Sequence, residues 1–131
     1  VKTMTDWMNI EQFMERYTTF FEEMVELEKV KLSVLMSNDV QAIQANLLEQ
    51  QSNAKRIENI EIERQNFFQV HGFNELSLRE VIALCDTDTK IKLEHTYERL
   101  QHAISQIKYN NRKSMEIIHM NLNIVQAAGV R

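Results

Sequence analysis

The chain contains no proline, and its only two glycines, Gly72 and Gly129, fall where long runs of helical-period apolar residues stop. Proline costs about 3 kcal/mol and glycine about 1 kcal/mol inside a helix. A chain of 131 residues almost free of both is built from a few very long helices. Function in such a protein sits on helix faces, not in loops.

Apolar residues at steps of three and four mark where those helices run. Ile10, Phe13, Tyr17, Phe20, Met24 and Leu27, widened by Met14 and Phe21, line one face of a first helix. Asn38 suits a left-handed residue at its end, and Asn38 or Asp39 can cap the next helix across a short break, which turns it back antiparallel. The second helix carries Val40, Ile43, Leu47, Ala54, Ile57, Ile60, Phe67 and Val70, with Gln50 and Arg64 at otherwise apolar positions, and Gly72 closes it. Ser77-Leu78-Arg79-Glu80 is a capping-box pattern that opens a short helix running to Cys85. Asp86 to Thr89 then places caps and negative charge at the positive end of the last helix. Its stripe reads Leu93, Tyr97, Leu100, Ile104, Ile107, Asn111, Met115 or Ser114, Ile118, Leu122 and Val125. At 1.5 Å per residue this helix extends roughly 60 Å, and only helices of similar length can cover it. The expected fold is all-α: an antiparallel bundle of three long helices plus one short helix, with coiled-coil-like packing. A single domain spans residues 1–131, with helices over about 5–37, 39–71, 78–85 and 88–128.

Composition narrows the function. The net charge of -4 is unevenly spread: residues 1–64 hold 7 basic against 12 acidic side chains, a net of -5, and residues 88–131 hold 7 against 4, a net of +3. The mixed signs of the C-terminal segment give a solvated face that favours acidic partners, not a phosphate-binding stripe, so no nucleic acid is expected. Cys85, the single cysteine, cannot form an internal disulfide and sits in an apolar run, which fits packing in a reducing, cytoplasmic setting. No apolar stretch approaches the roughly 20 residues of a membrane span, and the N-terminus lacks the pattern of a signal peptide.

The chemistry-bearing residues assemble no familiar centre. His95, Glu98 and His102 share a face, and Glu116-Ile117-Ile118-His119 is a Glu-x-x-His, but a carboxylate-bridged di-metal bundle needs two such motifs plus two further glutamates. None of the four histidines, His71 included, has the small and basic neighbours of a phosphotransfer histidine. There is no glycine turn to present a nucleophile and no glycine-rich phosphate loop. Neither catalysis nor a cofactor is expected. What remains is apolar surface, including seven methionines and the N-terminal cluster Trp7, Met8, Ile10, Phe13 and Met14. Methionine adapts to partner helices of differing sequence, and the long helices outrun the short one, so an uncovered groove at their ends would bind a helix. Asn111 either fixes register as a buried asparagine or marks a seam that faces water.

The residues resemble the FlgN-type flagellar export chaperones. The resemblance is carried by Leu27-Glu28, Lys31, Leu35, Asp39 at the turn, Ile43, Gln50, Ile57 and Glu63-Arg64, then by the short helix from Ser77 to Cys85. It continues through Asn111-Arg112, Met115, Ile118 and Leu122 in the last helix, and departs at Lys108, where the family often has a second asparagine. It implies a bacterial cytosolic chaperone that binds hook-filament junction (hook-associated) proteins, shields their amphipathic helical ends and delivers them for type III export, meeting components of the export apparatus. It also implies client binding by the C-terminal helix through Ile104, Ile107, Asn111, Met115, Ile118, Leu122 and Val125. The alternative from the stripes alone is a structural coiled-coil protein that associates with itself as a homo-oligomer.

Overall fold

The structure, a computed structural model, describes residues 4–127, with side chains for residues 6–121. The chain forms α1 (Met4–Met36), α2 (Val40–Val70), α3 (Leu78–Ala83) and α4 (Thr87–Ala127), with no strand among the described residues. The helix ends lie within a residue or two of the expected ones, and residue 128, the expected end of the last helix, lies outside the described residues.

The breaks follow local chemistry. Asn38 adopts φ 57 between α1 and α2, and the Asp39 carboxylate accepts from the backbone N–H groups of Gln41 and Ala42, which have no intrahelical partner. At the other end of α2, Gly72 takes φ 74. The Phe73 N–H reaches the Phe68 carbonyl at 2.7 Å and the Gly72 N–H reaches Gln69 at 3.3 Å, a paired closure that also packs the Phe68 and Phe73 rings edge to face. Ser77 and Glu80 exchange both bonds of the capping box, at 3.1 and 3.2 Å. α3 stops at Ala83, short of Cys85, because Asp86 must leave the helical conformation to cap α4, accepting from the Thr89 N–H at 2.8 Å. That amide bond, followed by one from the Thr89 hydroxyl, holds the Asp86 carboxyl below its ordinary range. Cys85 is half-buried, and burial pushes its thiol up to about 11, as befits a packing residue.

Ion pairs show how the long helices run. Arg16–Glu63 at 2.6 Å and Arg56–Glu23 at 3.2 Å set α2 antiparallel to α1. Arg99 of α4 grips Glu15 at 2.8 Å and Glu22 at 2.6 Å, and Lys31 donates to the Asn111 side-chain oxygen at 3.0 Å, so α4 runs parallel to α1. The core lies at the end of the bundle that holds α3. There Ile10, Phe13, Met14 and Tyr17 pack with Phe68, Phe73, Val81, Ile82, Leu93 and Leu100. Phe13 stacks on Phe67 with centroids 4.3 Å apart, and Tyr17 reaches across to donate its phenol to Glu61. Burial first, then the Glu61 carboxylate, raises the Tyr17 phenol far above its usual value, so it stays a donor.

Candidate functional site

Away from that core the bundle opens. Phe68 of α2 still shares the core with Leu93 and Leu100 of α4, but beyond it the apolar side chains of the two helices are exposed on either side of α1. The ion pairs give their relative heights. Counting up from Arg56–Glu23 puts Leu47 of α2 level with about residue 32 of α1, and Lys31–Asn111 puts Met115 of α4 level with about residue 35. These two side chains therefore stand at nearly the same height on opposite walls.

Each wall is an apolar row that has lost its cover. On α2, steps of three and four from Phe68 pass through Arg64, Glu61, Ile57, Ala54, Gln50, Leu47 and Ile43. Phe68 is buried in the core, whereas Ile57 is 39% and Leu47 59% exposed. On α4, Leu93 and Leu100 are buried and Ile104 packs against the core, while Ile107 is half-buried, and Met115 and Ile118 are 43% and 42% exposed. The polar floor between them belongs to α1: Lys31 sits 2.7 Å from Glu28 and donates to Asn111. Three positions that carry the family resemblance thus meet in one place.

The seam of α4 that faces α1 differs from the apolar stripe read in the sequence. Its buried members after Leu100 are Ala103, Asn110 and Ser114, small and polar residues at steps of seven and four, with the half-buried Ile107 between them in the heptad pattern. The stripe through Asn111, Met115 and Ile118 drifts away from α1 by one position, because 3.6 residues per turn do not match the 3.5-residue seam. Asn111 is accordingly exposed and pinned by Lys31, and the buried asparagine is its neighbour Asn110, whose amide donates to the Gln106 carbonyl at 3.0 Å. Counting heptads from Leu93 in place of apolar residues would have found this seam. The α2 wall was the part that sequence reading did not assign, although Ile43, Leu47 and Ile57 were visible as a stripe.

α4 also outreaches its neighbours. The register puts Met36, the end of α1, level with about residue 116 of α4, and the helix continues to Ala127, roughly 16 Å further. Ile118 starts that extension. Leu122 and Val125 lie on its backbone, and their side chains are outside the described residues. Chemical centres are not assembled elsewhere: among the described residues no three His, Cys, Asp or Glu side chains converge as metal ligands, and His95, His102 and His119 are exposed. No described helix is long and apolar enough to cross a membrane.

No curated protein and no solved structure matches the chain. One family model does, over residues 4–128: that of the FlgN protein.

Proposed function

From the premise that the chain belongs to the FlgN family, and so to the chaperones of flagellar export, we propose that it holds amphipathic helical ends of hook-filament junction proteins in the open groove between α2 and α4. The supporting observation is the pair of half-exposed apolar rows, Ile57 and Leu47 on one wall and Met115 and Ile118 on the other, which come nearly level at Leu47 and Met115. A helix laid there would complete a four-helix arrangement with α1 as its floor. Ile107, Asn111, Met115 and Ile118 supply the α4 wall, Leu122 and Val125 continue it, and Ile104 closes its lower end against the core. The work is noncovalent capture in the cytoplasm, followed by hand-over to the export apparatus, with no catalytic step.

Magnitudes constrain how the grip works. Fully burying one large apolar side chain is worth about 1.5–3 kcal/mol, and these four are already about half-covered, so together they yield roughly 3–6 kcal/mol. Association costs about 4–15 kcal/mol in lost freedom. The walls between Ile57 and Ile118 do not suffice alone, and the projecting end of α4 and polar contacts must add to them. Replacing Ile118 or Leu122 with aspartate is expected to abolish client binding, and Leu47→Asp to weaken it at least tenfold, each with helical content by circular dichroism unchanged. Native affinity in all three would refute the groove. Loss of helicity in Ile118→Asp would instead return that residue to the core.

A further inference from the structure

Most cations of this protein are already answered by its own carboxylates. Arg16, Arg56, Arg64 and Arg99 each pair with a glutamate, as do Lys29, Lys31, Lys55 and Lys113. Among the described residues five cations form no ion pair with a carboxylate: Arg79, Lys90 and Lys92 toward the closed end, and Lys108 and Arg112, both exposed, beside the groove. The last two occupy a defined place. Lys108, Arg112, Met115 and His119 follow at steps of four, three and four, so the two cations border the apolar row of Met115 and Ile118 on its solvent side. Arg112 also lies 5.8 Å from the centre of the half-exposed Tyr109 ring, which holds its stem to the helix surface without neutralising its charge. The opposite wall gives no such signal, since the α2 row from Ile43 through Leu47, Gln50 and Ala54 to Ile57 carries no charge.

We propose that the groove selects an amphipathic helix with acidic residues along one flank, the flank that lies against Lys108 and Arg112. The inference rests on the reading of the groove as the client site and adds to it the chemistry of the client. Charge complementarity of this kind sets specificity and encounter rate, and it orients the guest, because Lys55 and Glu58 beside the α2 row answer each other whereas Lys108 and Arg112 remain unanswered. The same edge works against a second copy of this chain as the occupant. A parallel pairing of two α4 walls, or an antiparallel one centred near residue 110, would bring Lys108 and Arg112 of one copy against the same residues of the other.

The test uses the full chain and two synthetic amphipathic peptides of about 20 residues that share one apolar stripe, one flanked by glutamates and the other by lysines. Fluorescence anisotropy at about 50 mM salt is expected to show the glutamate-flanked peptide binding about tenfold tighter, with the gap shrinking at about 500 mM as the charges are screened. The double variant K108E/R112E should reverse the preference, and K108Q/R112Q, which introduces no new charge, should bring the two peptides near parity. Equal binding of both peptides by the unaltered chain overturns the charge inference and leaves the groove standing. Failure to bind either peptide or an intact junction protein overturns groove and inference together. Tighter binding of a single-stranded oligonucleotide than of the acidic peptide, or a dimer in sedimentation that the peptide cannot dissociate, would assign the face to a nucleic acid or to a second copy instead.

Discussion

Arg99 is the residue that most firmly couples two helices, since its guanidinium reaches Glu15 and Glu22, two turns apart on α1, through four hydrogen bonds of 2.6 to 3.3 Å. The bond from Arg99 holds the Glu22 carboxyl below its ordinary range. A carboxyl lowered by folding contributes stability above its unfolded value and loses it as pH falls through the folded one. Urea unfolding is therefore expected to show a midpoint that drops as pH falls through and below the usual carboxylate range, and Glu22→Gln should make that drop smaller. A variant with the full acid-induced loss would contradict the assignment. Between the two glutamates lies Thr18, fully buried on the face toward α4, with a hydroxyl that has no hydrogen-bond partner; Ser114 on α4 is in the same position. Thr18→Val keeps the shape and removes an unpaired buried polar group, so it should stabilise the fold by about 1 kcal/mol, a shift of a few degrees in Tm. Phe13→Ala, which removes the ring stacked on Phe67, should cost about 3–5 kcal/mol. The aromatic cluster was legible from its spacing, and Ser114 entered the stripe as the alternative to Met115; Thr18 was not legible, because a small polar residue at a closely packed seam looks like a surface residue in a sequence.

Among the elements, the ends were the most legible part of the fold. Ser77 with Glu80, Asp39, Asn38 and Gly72 are each the residue type that the local backbone demands, so sequence and structure agree to within a residue or two. Gly72 has open space where a side chain would begin, and its φ of 74 alone penalises substitution. Gly72→Ala should thus cost about 1–2 kcal/mol in thermal or urea unfolding without altering client binding. The faces were less legible. α4 has two seams one position apart, a polar one to α1 and an apolar one to the groove, and apolar counting merges them. α2 reads as an ordinary amphipathic helix, yet Phe68 is its one buried residue, because its row points past α1 into the opening.

At the scale of the molecule, the packing is lopsided. One end is closed by aromatic rings, the short helix and paired charges; at the other, α4 stays packed on α1 through Asn110 and Ser114, the apolar row of α2 is exposed, and α4 runs on beyond its partners. That asymmetry follows from tertiary geometry, which is why the family resemblance pointed to the C-terminal helix while the α2 wall went unassigned. The central claim is that a client helix touches α2 and α4 at the same time. A photo-crosslinking side chain placed separately at Leu47, Ile118 and the exposed Ile91 near the closed end, followed by irradiation with a junction protein, measures this directly. Adducts from both Leu47 and Ile118, with none from Ile91, are the expected result. Adducts from Ile118 alone, or from all three alike, would contradict it.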